Sequence, residues 1–194
     1  MVKQRLHDPT PVRTQRPDSP ERIPRLAWRS PWAIALFALS AGIGLAGDLL
    51  TKHAAFAALG SSPEPSRSVI DGFLSLRLSL NPGIVFGIDW LPGWAVLLAT
   101  VAAMVLMTAV FAASTPGERL LHAACGMVLG GAAGNAFDRL QTGVVRDFID
   151  VRIPVVNYHW PTFNVADVLL VVGLAVIILH LWRRDKAAPG RSGK

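Results

Sequence analysis

Two aspartates, Asp147 and Asp167, bracket a short loop that ends where a long apolar stretch begins. Burying an ionisable side chain against a membrane span costs about 2.5 kcal/mol or more for Asp near the bilayer centre, so such a residue usually has a function. Two carboxylates in a partly dry site share one proton, and one can then act as an acid while the other acts as a base. The pair therefore predicts aspartic-protease chemistry, in which water attacks an amide carbonyl without a metal or a cofactor.

Other charged residues stand at the ends of apolar stretches, close to the predicted level of the two aspartates. Asp48 and Lys52 are four residues apart at the end of the first stretch and can pair on one face of a helix. Asp138 ends the third stretch beside Arg139, its expected partner, and either residue can hold the end of that helix. Taken singly, each acid can be a solvated interface residue, but together they indicate a site.

Asparagines accompany these charges. Asn135 precedes the end of the third apolar stretch, Asn164 precedes the fourth, and Asn81 lies in a turn between the first and second. The amides of Asn135 and Asn164, with the guanidinium of Arg139, can hold a peptide or lipid carbonyl near the two aspartates. This set is the predicted binding part of the site.

The elements that must position these residues are four membrane spans. The chain has 194 residues, of which 52% are hydrophobic and 16% charged, whereas soluble domains have about 25% charged residues. About 20 apolar residues are needed to cross a bilayer. Four stretches meet this requirement, at residues 31–50, 90–113, 120–138 and 164–182. The fold class predicted is an all-α membrane protein of four helices.

The net charge of +6 lies mainly in the tails. The tails 1–30 and 183–194 carry twelve Lys and Arg residues, and the connections 51–89 and 139–163 carry six. Basic residues favour the cytoplasmic side, so both termini are expected in the cytoplasm and the site on the extracytoplasmic face. The charge thus indicates topology and contact with membrane lipids rather than nucleic-acid binding. Tail 1–30, rich in Pro and Arg, is predicted to be disordered.

A small β-element is expected outside the membrane. Leucines alternate with polar residues over 73–80, which is the period of a strand. Residues 84–88 are predicted to form a second short strand or an amphipathic segment on the membrane. If Asp147 lies in an extended segment, the side chain of Arg146 points to the opposite face.

Three other functions are weighed against the protease. The five histidines show no HExxH or paired spacing, which argues against a zinc protease, and the single Cys125 permits no intramolecular disulfide. A transporter that relays protons or cations through membrane acids would need acids at several depths, which the second and fourth stretches lack. A non-catalytic scaffold, in which the acids only cap helices, is the remaining alternative.

The chain resembles lipoprotein signal peptidase, also called signal peptidase II, a family of bacterial aspartyl proteases. The resemblance covers residues 31–182. It depends on blocks that are weak singly and specific in this order: DLLTK at 48–52, NPGIVFG at 81–87, GGAAGNAFDR at 130–139, VRDF at 145–148 and FNVAD at 163–167.

The resemblance implies a multi-pass protein of the bacterial inner membrane. Such an enzyme removes signal peptides from diacylglyceryl-modified prolipoproteins, cutting before the lipidated cysteine, and globomycin inhibits it. It implies the catalytic pair Asp147 and Asp167, with no cofactor and no metal, and a monomer is expected. It implies that Asn135 and Arg139 contact the substrate. Asn81, Gly83 and Asn164 also match positions of the family motifs. The positions of Asp48, Lys52 and Asp138 are expected to be mainly structural.

Arg146 departs from the family pattern, which has an apolar residue at this position. It would lower the pKa of Asp147 if the strand turned it inward. The tail 1–30 lies outside the family body and is expected to be dispensable for catalysis.

Overall fold

The protein, a computed structural model, is described over residues 26–62, 66–83 and 92–187. In this part of the chain there are four long helices and one antiparallel sheet. The helices are α1 (Pro31–Leu59), α2 (Gly93–Ala113), α3 (Arg119–Thr142) and α4 (Val165–Ala187). The strands are β1 (Ser66–Ile70), β2 (Leu74–Asn81), β3 (Val145–Ile153) and β4 (Tyr158–Phe163). All four helices are long and apolar enough to cross a membrane, which confirms the predicted fold class.

Helix α3 is the centre of the bundle, because 67% of its most apolar stretch is buried, against 22% or less in the other three helices. Its glycines allow this close packing. A Cβ on Gly126 would lie 2.5 Å from the carbonyl oxygen of Phe37 in α1, and one on Gly131 would lie 2.7 Å from that of Ala166 in α4. Small residues thus bring the three backbones together, as expected for membrane helices.

Helix α1 is longer than predicted. The span was expected to end at residue 50, but the helix continues to Leu59. The added turns are rich in Ala, which favours helix most strongly. They place Asp48, Lys52 and Phe56 in one row, four residues apart on the same face. This row lies at the end of the bundle that carries the sheet, which we call the sheet end.

Regular structure also extends into both segments that were predicted to be tails, residues 1–30 and 183–194. Ala27–Arg29 form a single 3-10 turn, and the N–H of the fully buried Ala27 donates to the carbonyl of Ser114 at 2.8 Å. Helix α4 continues past residue 182 to Ala187. Residues 1–25 and 188–194 lie outside the described part, so their predicted disorder stays a prediction.

The sheet has the strand order β1-β2-β3-β4, and all neighbours are antiparallel. Strand β2 confirms the alternation of residues 73–80, while the segment predicted at 84–88 lies outside the described residues. A register shift in β2 between Leu76 and Ser79 precedes the pair Ser79 and Asp147. Asn81 is two residues beyond Ser79, so it is the diagonal neighbour of Asp147 on the same face.

The apolar core lies at the end of the bundle opposite the sheet. Phe37 of α1 stacks on Phe111 of α2 with ring centroids 4.4 Å apart, and His122 packs edge-on against Phe111 at 5.2 Å. Cys125 is fully buried in this cluster. The buried charged side chains lie at the other end of the bundle, the sheet end.

Candidate active site

Asp147 projects from β3 into the bundle and is almost completely buried, with 1% of its surface exposed. Two asparagine amides hold its carboxylate: Asn81 Nδ2 donates to Oδ2 at 3.0 Å, and Asn164 Nδ2 donates to Oδ1 at 2.7 Å. Both partners are neutral donors. The carboxylate is therefore fixed in place without a direct cation, which leaves it free to exchange a proton.

Asp167 lies in the first turn of α4 and caps this helix reciprocally with Asn164. The N–H of Asp167 donates to Asn164 Oδ1 at 3.0 Å, and the N–H of Asn164 donates to Asp167 Oδ2 at 3.1 Å. This exchange is a capping box, in which two otherwise unpaired helix N–H groups are satisfied. The fold of the helix start thereby fixes the position of Asp167.

Asn135 of α3 connects the two aspartates to the layer below them. Its Nδ2 donates to Asp167 Oδ1 at 2.9 Å. Its Oδ1 accepts from Asn164 Nδ2 at 3.1 Å and from Lys52 Nζ at 2.9 Å. Because both acceptor positions are occupied, the orientation of this amide is determined by its neighbours.

Lys52 is fully buried and lies at the centre of that lower layer. Besides Asn135, its ammonium contacts Asp48 Oδ2 at 2.7 Å and Asp138 Oδ2 at 3.1 Å. The predicted pairing of Asp48 with Lys52 is confirmed. Asp48 Oδ1 also accepts the N–H of Ala166 at 2.9 Å, which ties α1 to the first turn of α4 beside Asp167.

The expected pairing of Asp138 with its neighbour Arg139 is wrong. Asp138 Oδ1 accepts from Arg146 Nε and Nη2 at 3.0 and 2.6 Å, and its Oδ2 accepts the backbone N–H of Arg146 at 3.1 Å. Arg146 faces away from Asp147, as the strand period predicts. It does not turn inward to pair with Asp147, because Asp138 of α3 holds it on the opposite face of β3.

Arg139 instead reaches toward the two aspartates. Its Nη2 donates to the carbonyl of Gly83 at 2.7 Å and its Nη1 donates to the carbonyl of Asn135 at 3.4 Å. The turn around Gly83 is held from the other side by Asn81, whose Oδ1 accepts the Gly83 N–H at 2.9 Å. Arg139 and Asn81 thus fix the turn that follows β2 at the rim of the site.

Burial, and to a smaller extent the nearby charge of Asp167, raises the pKa of Asp147, which is about 6 once all contributions are included. The hydrogen bonds from Asn81 and Asn164 and the charge of Lys52 act in the opposite direction. Desolvation disfavours the ionised form of a carboxylate. A proton on Asp147 is therefore accessible near neutral pH, as acid–base chemistry requires.

A cleft of about 840 Å³ opens above the two aspartates. Both α2 and α4 pack on α3, and the cleft separates them. Its walls in the membrane-spanning part are small and apolar, with Ala99 and Ala103 on α2 facing Val171 and Val172 on α4. The rim is formed by β2 and β4. A cleft of this kind suits an extended chain that has an apolar segment on one side and a polar segment on the other.

Comparison with known proteins identifies the family. Residues 40–183 match the family model described as signal peptidase (SPase) II. This match covers well over half of the chain.

The chain belongs to the signal peptidase II family.

Relatives and solved structures agree. The lipoprotein signal peptidase of Syntrophus aciditrophicus (strain SB) is 32% identical over 160 residues, which are 79% of this chain and 96% of the relative. That of Aquifex aeolicus (strain VF5) is 35% identical over 136 residues, 68% and 77% of the two chains. A solved structure described as a bacterial membrane enzyme shares 26% identity with a TM-score of 0.66, and 86% of this chain and 96% of that chain are covered.

The signal peptidase II fold brings the residues predicted from the sequence into one continuous network. Asp147 and Asp167 line the cleft, three asparagines bind them, and the buried charges lie beneath. All ten predicted positions take part: Asp147, Asp167, Asn81, Gly83, Asn135, Arg139, Asn164, Asp48, Lys52 and Asp138.

One buried acid of this signal peptidase II chain was not predicted. Asp150 in β3 is 3% exposed and binds His159 of β4, while Arg77 of β2 lies 3.5 Å from the same oxygen. The trio joins three strands on the rim, and Arg77 also lines the cleft. Strand pairing brings these residues together, and no spacing in the sequence indicates it.

Proposed function

We propose that this chain is an aspartic endopeptidase that removes signal peptides from diacylglyceryl-modified prolipoproteins, cutting before the lipidated cysteine. The observation that carries this proposal is the pair of aspartates at the base of the cleft. Asparagine amides hold both side chains, and within the described residues neither carboxylate forms an ion pair. Family membership makes the chain a peptidase, and the pair supplies its chemistry.

The proposed reaction uses the proton that the two carboxylates share. Asp147, whose pKa is raised to about 6, holds the proton, and ionised Asp167 accepts a proton from water as the water oxygen bonds to the scissile carbonyl carbon. Asp147 gives its proton to the carbonyl oxygen. The C–N bond of the tetrahedral diol then breaks as Asp167 protonates the leaving amine. Asp147 takes a proton back from one hydroxyl of the diol, which leaves the product carboxylic acid and restores the shared proton.

The shape of the cleft supports a lipid-modified substrate. The apolar gap between α2 and α4 can take an apolar segment or acyl chains at membrane depth, while the sheet lies above the reacting bond. The outward faces of the helices carry exposed apolar side chains, such as Leu39 and Ile43, which fits contact with membrane lipids. Globomycin, an inhibitor of the family, is expected to compete for the same cleft.

The proposed location is the inner membrane, with both termini in the cytoplasm. The sheet and the two aspartates are on the opposite side from the basic tails, because four spans return the chain to its starting side. This orientation follows from the distribution of Lys and Arg. It places the cleft at the extracytoplasmic face of the membrane, the side to which lipoproteins are exported.

A proton or cation relay is less well supported. Apart from Arg119 at the start of α3 and the charged residues in the last turns of α4, the charged residues of the four helices gather at the sheet end: Asp48, Lys52, Asp138, Arg139 and Asp167. A relay would continue across the bundle, whereas the opposite end of the described bundle holds the apolar core.

The test is cleavage of a diacylglyceryl-modified prolipoprotein by the purified protein in detergent. Asp147→Asn and Asp167→Asn should each reduce the rate by at least about a hundredfold, because the acid–base pair is incomplete. Asp71→Asn is the matched control, since Asp71 is an exposed acid in the turn between β1 and β2. It should cleave at the wild-type rate.

Folding is followed by thermal unfolding of each variant. Normal cleavage by either dyad variant would contradict the catalytic assignment. Failure of well-folded wild-type protein to cleave a competent substrate would contradict the function itself. Cleavage of the substrate without its lipid at an equal rate would contradict the proposed specificity.

A further inference from the structure

Arg146 makes three hydrogen bonds to one buried carboxylate. Its Nε and Nη2 donate to Asp138 Oδ1, and its backbone N–H donates to Asp138 Oδ2. The side chain of Asp138 is 2% exposed and that of Arg146 is 24% exposed. The ring of Phe56, in the added turns of α1, lies 6.0 Å from the guanidinium. Arg146 and Asp138 thus form a largely buried ion pair that joins β3 to α3.

The bonds of Arg146 determine how Lys52 is shared. The ammonium has three N–H groups and three acceptors, which are Asp48, Asp138 and Asn135. Without Arg146, the two buried carboxylates would compete for one ammonium. The bond to Asn135, whose oxygen is neutral, is the weakest of the three because hydrogen bonds between ions are stronger.

The bond from Lys52 to Asn135 in turn orients the candidate active site. While Asn135 Oδ1 faces Lys52, its Nδ2 faces Asp167 Oδ1 at 2.9 Å. A reversed amide would present its oxygen to the carboxylate of Asp167, and the two acceptors would repel each other. The direction of a single amide therefore depends on the charge balance below it.

That balance is neutral only with Arg146. The buried layer contains two acids, Asp48 and Asp138, and two cations, Lys52 and Arg146. Facing Asp147 above it are Asp167 from α4 and Arg139 from α3, with neutral amides from β2 and the loop before α4. Loss of Arg146 would leave one uncompensated negative charge beneath two carboxylates.

We propose that Arg146 is a positioning residue of the site: by occupying Asp138 it leaves Lys52 free to hold Asn135 toward Asp167, and it keeps the layer beneath the two aspartates neutral. This inference rests on the proposed function for its kinetic test. Arg146 does not line the cleft, so its effect should fall on the rate of the chemical step and not on substrate binding.

The experiment compares Arg146→Gln, which removes the charge at similar length, with Arg146→Lys, which keeps it. The Gln variant should lose about tenfold in kcat, the cost of weakening one charge-assisted bond, with KM unchanged. The pH at which activity falls, which is set by the loss of the proton from Asp147, should rise by about half a pH unit, because an added negative charge nearby raises the pKa of a carboxyl group. The Lys variant should recover most of both. Arg152→Gln, an exposed arginine on the same strand, should match wild type.

Infrared titration of the Asp147 carboxyl, obtained by subtracting the Asp147→Asn spectrum, provides a readout that needs no substrate. An upward shift in Arg146→Gln that Arg146→Lys reverses supports the charge balance, even if wild type failed to cleave and the proposed function fell. Wild-type kcat and titration in Arg146→Gln would overturn the inference. Equal losses in both variants, with lower thermal stability and an unmoved titration, would also overturn it, since they indicate a purely structural role.

Discussion

At the scale of single residues, Asp147 connects burial to reactivity. The same removal from water that raises its pKa to about 6 would be unfavourable at neutral pH if no donors faced it. Asn81 and Asn164 supply those donors while carrying no charge. Neutral donors hold the carboxylate without taking over its proton, whereas an arginine would have locked it in the ionised form.

A pH dependence follows from this residue. Because the proposed reaction needs the proton on Asp147, kcat/KM should fall as the pH rises through about 6, the value to which its pKa is raised, chiefly by burial. Asn81→Ala removes a donor that favours the ionised carboxylate, so its falling limb should lie at higher pH. The measurement is kcat/KM for prolipoprotein cleavage across the pH range. A limb that stayed in place in Asn81→Ala, or moved to lower pH, would contradict this account.

The sequence predicts some of these contacts and misses others for a physical reason. The pair Asp48 and Lys52 is local, so the helix period alone brings it together. The partner of Asp138 was predicted to be its neighbour Arg139, and it is Arg146, eight residues from Asp138 and on another element. Contacts of that kind depend on the register and direction of β3, which residue spacing does not specify.

At the scale of elements, the backbone of α3 shapes the buried layer of charges. Gly134 of α3 faces Asp48, and a Cβ there would overlap its Oδ2 and lie 3.0 Å from its Cγ. Asp48 has little room to retreat, since Lys52 and the N–H of Ala166 hold its two oxygens. The absence of one methyl group in α3 therefore makes room for a carboxylate of α1.

Gly134→Ala should destabilise the protein by about 1–3 kcal/mol, the usual cost of overpacking a filled interior, and should reduce cleavage because Lys52 loses its place. Gly47→Ala is the control. Gly47 lies one residue before Asp48 in α1, and a Cβ there would meet nothing within 4 Å. It should leave activity unchanged. Thermal unfolding in detergent and cleavage rates are measured together, and equal stability of the two variants would contradict the packing argument.

The strands show how far local pattern reaches. Strand β2 is recognisable from its sequence because its leucines alternate with polar residues. Strand β3 does not alternate in this way, because Asp147, Phe148 and Asp150 are all buried. Asp147 and Phe148 are adjacent and therefore point to opposite faces, so both faces of β3 are buried over this stretch. The extended state of β3 thus depends on tertiary contacts.

At the scale of the whole molecule, the topology makes a clear prediction. Asp71 lies in the turn between β1 and β2 and Asp185 near the end of α4, and both are exposed. Cysteine at these positions should report opposite sides of the membrane, because a long apolar helix and the bundle separate them. The native Cys125 is fully buried and should give no background signal.

In intact cells, Asp71→Cys should react with a membrane-impermeant maleimide, and Asp185→Cys should react only after the membrane is permeabilised. Cleavage activity of each variant shows that the protein is inserted correctly. The reverse labelling pattern would place the basic tails outside and contradict the proposed orientation.

The pairing of Asp48 with Lys52 has a consequence for biosynthesis. These two residues enter the membrane on α1 before the ribosome has made Asp138 of α3 or Ala166 of α4. Because the acid and the base are one turn apart on the same helix, α1 can leave the translocon carrying no net charge from this pair. Asp138 of α3 and the N–H of Ala166 in α4 can then bind to an ion pair that has already formed on α1.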